Sequence, residues 1–487
     1  MSYKNNRSPH SGIDETYWNG LDNTAKLFPS ITTTRSPNVF RLCAVLFDEV
    51  DPAALQTALE KALAIMPAFA LKLNRGLFWY YFDVNNERPI VTMEHTYPCA
   101  PIYRAGERGF LFRVTYYHKR INLEMYHALA DGMGAVSFMR VLVYCYFNVI
   151  SGSEVPEEDI RRESDEAARD FGEDSFVINS EECSSESGTK AVREPEAYRL
   201  GGFQYDGTRL GVTSAYIPTS ALLELAREQG ATLSEYVTAL LIFSVFNTSY
   251  RRSLGKRPIT ISLPVNLRGM FASNTLRNFF GHMNVGVLPE RGASFEDILA
   301  AVKERFSKCL TREYFERQIA SHVKIERIPG VKFVPIWLKN LIMRGFYKSS
   351  EKRHTLTFSN LGKITLPPVI ADRVERFEAY IGGSETHVKK TSLCSYGDSL
   401  TLSFSSTVDD NSLEQFLLSY LSRKGVPITV SSNETAPPPK KVKPKLSKEE
   451  KLRAKTDKKT EKADKKATKK ANKAEKKAIK KAKKEKK

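Results

Sequence analysis

The chain has 487 residues, 41% of them hydrophobic, enough for more than one core of ordinary size. Its net charge of +18 sits almost wholly at the C-terminus. From Lys440 onward there are 24 Lys and Arg against 7 Asp and Glu, which leaves 50 against 49 in the rest. The body is near neutral, so a nucleic-acid reading drawn from net charge concerns the tail alone.

Six cysteines (Cys43, Cys99, Cys145, Cys183, Cys309 and Cys394) are widely scattered without a CxxC pair, a pattern of reduced thiols and not of a disulfide frame or zinc site. The polar N-terminus has no apolar signal-peptide core, and no uninterrupted apolar run approaches the roughly 18–20 residues of a membrane span. A cytoplasmic protein is the expectation, with peripheral attachment to a membrane as its variant.

Residues 38–49, NVFRLCAVLFDE, alternate and are rich in β-formers, so they read as a strand. Asp51 and Pro52 supply a cap and a first-turn proline for the helix AALQTALEKALAIMP, whose Leu55, Ala58, Leu59 and Ala62 share a face. GLFWYYFDV is read as a further strand. Phe112, Val114 and Tyr116, then Ile121, Leu123 and Met125, alternate on either side of a polar turn at 118–120, which predicts a hairpin. From Gly134, AVSFMRVLVYCYFNVI reads as a buried helix. Residues 151–200, with 15 acidic and 6 basic residues, read as a crossover or surface excursion.

Order resumes with a strand near 211–217, then helices at TSALLELAREQG, closed by Gly230, and at TLSEYVTALLIFSVFNTSYRR. RPITISLPVNLRG and GHMNVGVLPE are predicted strands, and SFEDILAAVKERFSKCLTREYFERQI a single long amphipathic helix. HTLTFSNLGKITLP, ERFEAYIG and CSYGDSLTLSFSSTV complete the strands, and LEQFLLSYLSRKG is the last helix. The expected organisation is an N-terminal lobe over 1–150, the acidic segment 151–200, a C-terminal lobe over 201–436 and a Lys/Ala-rich tail over 437–487, disordered or transiently helical. Strands and helices mix in both halves, which makes the class α/β (α+β).

The stretch MYHALADGMGAV places His127 at a strand exit, four residues before Asp131 and Gly132. A histidine nearly neutral at pH 7 is suited to take a proton from a hydroxyl or amine once it is held in one orientation. An aspartate four places on can brace its loop, and a glycine permits a tight turn. The plain alternative is a strand-end histidine beside an ordinary DG turn.

This HxxxDG stretch resembles the active-site motif of the chloramphenicol acetyltransferase-like superfamily of CoA-dependent acyltransferases and condensation domains. LPVNLRG at 263–269, LRNFFG at 276–281, FSNLG at 358–362 and the closing strand pair match in order, most strongly the alcohol acetyltransferase branch. The resemblance implies two lobes with an active-site tunnel between them. It implies acyl-CoA (acetyl-CoA) as co-substrate, a small alcohol or amine acceptor, and His127 as general base. It also implies a structural Asp131 paired with an arginine, for which Arg268 is the candidate, and a turn at Gly132. Ser359 and Asn360 are candidate oxyanion or tunnel residues, with a strand-end structural role as the alternative. No metal ligand set is expected. Tyr126 stands where many relatives carry a first histidine, and the DFGWG motif of plant relatives is missing, so neither detail carries over.

Two other readings remain open. One is a catalytically idle relative that binds anionic surfaces or nucleic acid non-specifically through its tail. The other is transfer from a carrier-protein donor. VKFVPIWLKNLIMRGFYK at 331–348 is apolar and basic. It fits a core helix with solvated lysines, or a segment that lies on a membrane or gates an apolar acceptor.

Overall fold

The computed structural model describes residues 19–434, omitting 105, 108, 153, 154, 157, 159, 161–173, 183–193, 251–256, 274, 327–329, 331 and 332. The tail over 437–487, Cys183 and much of the acidic segment lie outside the described residues.

In chain order, β1 (Asn19–Gly20) and the one-turn helix α1 (Phe28–Ile31) precede β2 (Val39–Leu46). The Asp51 carboxylate then accepts from the amides of Ala53 and Ala54 at 2.8 and 3.0 Å, which caps α2 (Pro52–Ile65). The hairpin β3 (Leu71–Arg75) and β4 (Tyr80–Val84) follows, then β5 (Thr92–Met93). A second hairpin, β6 (Phe112–Tyr117) and β7 (Arg120–Tyr126), turns through His118 at φ 49° and leads into α3 (Gly132–Ser151).

After α4 (Ser175–Glu182) come β8 (Gly211–Pro218), α5 (Thr219–Glu228) and α6 (Leu233–Thr248). A capping box between Thr232 and Glu235 starts α6. Next are β9 (Ile259–Asn266), β10 (Phe280–Val287), α7 (Phe295–Cys309), α8 (Arg312–Glu326) and α9 (Ile336–Glu351). The chain closes with β11 (Leu356–Lys363), α10 (Pro368–Ala371), β12 (Val374–Ile381), β13 (Lys389–Tyr396), β14 (Ser399–Ser406), α11 (Ser412–Arg423) and β15 (Thr429–Ser432).

Two large sheets carry the fold. One has the order β12-β2-β7-β6-β5 and the other β10-β9-β11-β13-β14-β8-β15, beside a small sheet β1-β4-β3. Each large sheet buries one face under helices, so there are two apolar cores. Leu55, Leu59 and Leu63 of α2 and Val141 and Leu142 of α3 fill the first. Leu240 and Leu241 of α6, Val302 of α7 and Leu417 of α11 fill the second. β12, from late in the chain, joins the first sheet, with Phe377 opposite Ala44 and Ile381 opposite Phe40 of β2.

Two sequence expectations change. The strand read over 76–84 begins only at Tyr80. Gly76–Phe78 form the turn of a hairpin whose first strand went unread, and the Gly76 amide bonds the Trp79 carbonyl at 2.8 Å. The single long helix over 294–319 is two helices. The apolar positions Val302, Phe306 and Cys309 lose phase before Phe315, Ile319 and Val323, and the Thr311 hydroxyl accepts from the Tyr314 amide at 3.3 Å at the new start. The segment read as a buried helix is one: α3 has the length and composition of a membrane span, and most of it is buried in the first core. The five described cysteines are free and buried, and burial pushes the Cys43 thiol up to about 12.

Candidate active site

β7 ends at Tyr126, and the next amide, that of His127, bonds the Asn38 carbonyl at 2.9 Å. This ties the strand exit to the start of β2. The His127 ring stacks on Phe28 of α1 (centroids 4.5 Å apart, planes at 17°) and meets Phe40 edge-on at 5.1 Å and Phe280 at 5.6 Å. Protein surrounds the ring, and His127 as a whole residue is half-buried.

Two polar side chains, Asn278 and Asp22, form a chain behind the imidazole. His127 Nδ1 lies 3.1 Å from Asn278 Oδ1, and Asn278 Nδ2 donates to Asp22 Oδ2 at 3.3 Å. The other Asp22 oxygen accepts from the Ala25 amide at 2.7 Å. Asp22 accepts the Asn278 amide protons, which fixes that side chain with its oxygen toward His127. The oxygen can only accept, so His127 carries its proton on Nδ1 and leaves Nε2 with a free lone pair. Burial lowers the His127 pKa below its ordinary 6.5 despite the opposing influence of Asp131, so the ring is neutral at pH 7. Burial raises Asp22 to about 6 against the pull of the Ala25 amide and Arg277.

Asp131 makes no hydrogen bond to His127 and is fully used elsewhere. Its Oδ1 accepts from the Met133 and Gly134 amides at 3.1 and 3.0 Å and caps α3. Its Oδ2 meets Arg268 Nη1 at 2.8 Å and the Phe279 amide at 3.1 Å. Arg268 also donates to the carbonyls of Thr275 (2.8 Å) and Arg277 (2.6 Å). The PVNLR segment and the LRNFFG segment are thereby clamped to the N-terminus of α3, and this clamp delivers Asn278 to His127.

Gly132 is the first residue of α3 and does not adopt a positive φ. The expected turn role gives way to a packing role, because a Cβ there would lie 2.6 Å from Leu361 Cδ2 of β11. A Cβ at Gly134 would come within 2.2 Å of the Leu276 carbonyl oxygen.

Of the two late-strand candidates, Asn360 is committed to a local role. Its amide donates to Ser234 Oγ at 3.1 Å, and its oxygen accepts from the Gly362 amide at 2.8 Å. Ser359 has no side-chain hydrogen bond among the described residues and alternates with Phe358, which belongs to the second core. Ser359 is thus on the face opposite Phe358, two residues before Leu361, whose Cδ2 approaches Gly132; the register of β11 against β13 shifts between Asn360 and Lys363. Lys390, opposite Thr357 on β13, donates to the Gly382 carbonyl at 2.9 Å, and its charge also lowers His127.

Sequence reasoning did not assign Asn278, although it lies inside LRNFFG, and nothing local marks Asp22 or Phe28. Tyr126, in the place of a first histidine, is buried in the first core and stacks on Tyr103 at 5.0 Å, its hydroxyl 2.9 Å from Thr32 Oγ1.

A second titratable cluster lies at the end of α9. His387 Nδ1 is 2.6 Å from Glu351 Oε2, His387 Nε2 is 2.9 Å from the His354 carbonyl, and the two imidazoles stack at 3.9 Å and 11°. Parallel rings do not aim their lone pairs at one point, so the geometry is that of a buried ion pair and not of a metal centre.

No family model and no curated protein matches the chain. Solved structures do. The first condensation domain of the calcium-dependent antibiotic synthetase, with a substrate analogue, superposes with a TM-score of 0.56 at 15% identity, covering 84% of this chain and 97% of that one. TRI101 of F. sporotrichioides, complexed with coenzyme A and T-2, gives 0.56 at 12% identity over 85% and 100%. TRI3 trichothecene 15-O-acetyltransferase from Fusarium sporotrichioides gives 0.54 at 11% identity over 83% and 93%. With its two sheets, two cores and near-complete overlap with these structures, the chain has the two-lobed chloramphenicol acetyltransferase-like fold of CoA-dependent acyltransferases and condensation domains.

Proposed function

We propose that the protein is an acyltransferase that moves an acyl group from a CoA thioester to the hydroxyl (or amine) of a small acceptor, with His127 as general base. The observation that carries this reading is the neutral imidazole whose Nδ1–H is bonded to Asn278 while Nε2 has no hydrogen-bond partner among the described residues. Nε2 takes the acceptor proton as the oxygen attacks the thioester carbonyl, and a C–O bond forms. The tetrahedral intermediate collapses by breaking the C–S bond, and the imidazolium returns its proton to the departing thiolate. A positioned base contributes about 10²–10⁴-fold, and holding both substrates in line supplies much of the remainder.

Ser359 is the proposed hydroxyl donor to the developing oxyanion, because its Oγ has no hydrogen-bond partner among the described residues and it lies on the strand face opposite the core residue Phe358. Phe28, Phe40 and Phe280 around the ring favour an acceptor with an apolar body. A tunnel between the lobes passing His127 belongs to the same proposal. The test incubates the protein with acetyl-CoA and a panel of alcohols and amines and looks for acylated product by mass spectrometry. Product formed by the wild type and reduced to background by His127→Ala supports the reading. Equal product from both proteins refutes it.

A further inference from the structure

The outer face of α9 and the tip of the β3–β4 hairpin form an apolar surface that neither core uses. Phe333 is 77% exposed, Trp337 62% and Phe346 65%, with Leu341 and Ile342 exposed between them. At 100° per residue, Trp337, Leu338, Leu341, Ile342 and Phe346 fall on one side of the helix. Ile336 and Asn340 lie on the other side, Ile336 buried and Asn340 donating to Tyr80 Oη at 2.9 Å. The hairpin adds Leu77, 72% exposed, and Trp79. The two elements are fastened together: the Ile336 amide bonds the Leu77 carbonyl at 3.0 Å, and Lys339 Nζ donates to the Phe78 carbonyl at 3.1 Å while lying 3.3 Å over the Trp79 ring.

The charge around this surface is predominantly basic, with Asp83 of β4 paired to Lys72 at 3.3 Å. The described residues 71–82 and 333–350 contain Lys72, Arg75, Lys339, Arg344 and Lys348 and no Asp or Glu. Monomeric proteins rarely expose so many large apolar side chains in one place. Trp, Phe and Leu on one helix face with Lys and Arg around them match a helix lying in the headgroup region of an anionic bilayer. Docking of two copies through this face would set cations against cations, which disfavours self-association.

We propose that α9 and the β3–β4 tip dock the protein on the surface of a membrane carrying anionic lipids. The proposal does not depend on the acyl-transfer reading. The surface is nevertheless joined to the site: Arg344 Nε donates to the Ser30 carbonyl of α1 at 2.5 Å, and α1 supplies the Phe28 ring that covers His127.

The test uses the full-length protein with phosphatidylcholine–phosphatidylserine vesicles containing brominated lipid and reads tryptophan fluorescence alongside sedimentation. The wild type is expected to bind and to show quenching of its tryptophan emission. Trp337→Phe retains binding and loses the larger part of the quenching. Trp337→Glu with Leu341→Glu, both exposed in the folded protein, keeps the wild-type melting temperature and loses the quenching, with partitioning to these vesicles at high salt lowered by about 10²-fold or more. Residual low-salt sedimentation of that variant without quenching reports the lysine tail and leaves the inserted patch as the missing element. Unquenched wild-type emission on saturating vesicles overturns the proposal. So does quenching unchanged by the double substitution, or a stable solution dimer that the same two substitutions dissociate.

Discussion

An imidazole can abstract a proton only through a nitrogen that nothing else occupies. Asp22 orients Asn278 and Asn278 orients His127, so the proton on Nδ1 is a consequence of two amide contacts and not of the nearby Asp131. Asn278→Ala removes that selection and is expected to lower kcat by about 10–10²-fold with little change in KM, whereas His127→Ala loses the full contribution of the base. Because burial lowers the His127 pKa, the ring is charged only below about pH 6.5. A kcat/KM profile is expected to be flat around neutrality and to fall on the acid side of that value; a fall beginning above pH 7 would contradict the assignment. Ser359→Ala is expected to reduce kcat by about 10²-fold or more if its hydroxyl meets the oxyanion. The histidine and its motif were legible in the sequence. The role of Asn278 was not, since only the folding of residue 278 onto residue 127 shows which atom it faces.

At the scale of elements, the N-terminus of α3 is where the site is assembled. Arg268→Met leaves a nearly buried Asp131 carboxylate without its cation and is expected to cost about 3 kcal/mol in denaturant melts. Gly134→Ala forces a Cβ onto the Leu276 carbonyl and is expected to be worse for stability than Gly132→Ala, which meets only the end of the Leu361 side chain. The end of α9 predicts a separate pH dependence. Burial and the neighbouring His387 hold His354 down at about 3, so the unfolded chain binds its proton near 6.5 while the folded one does not. Burial opposes the Glu351 carboxylate, but the hydrogen bond and charge of His387 prevail and hold it at about 2. Both groups stabilise the fold at neutral pH. Stability is expected to fall as pH drops through 6.5 on account of His354, and further below 4.5 on account of Glu351. Denaturant melts across that range check it, and a rise in stability on acidification would contradict it. Periodicity revealed most helices but not the break at Leu310–Thr311, since both halves are apolar at helical spacing and only the phase differs.

Across the full fold, alternation and capping signals pointed to the mixed α/β class, while pairings between distant strands were out of their reach. ERFEAYIG read as a strand, yet only the folded chain puts it beside β2. Glu378 on that strand accepts from Tyr216 of the second sheet at 2.9 Å and lies 3.4 Å from Arg120 of the first, so β12 carries polar contacts to both. The compact unit ends at Glu434. Ending the chain after Glu434 is expected to leave its melting temperature unchanged, whereas ending it before Thr429 removes β15 from β8 and lowers it.

The proton on the His127 ring decides whether Nε2 can act as a base, and nitrogen NMR locates it without knowledge of the acceptor. With labelled histidine, and His127→Ala used to assign the signals, the expected result at neutral pH is a protonated Nδ1 and an unprotonated Nε2, with Asn278→Ala weakening that preference. A proton found on Nε2, or a doubly protonated ring at pH 7, would contradict it.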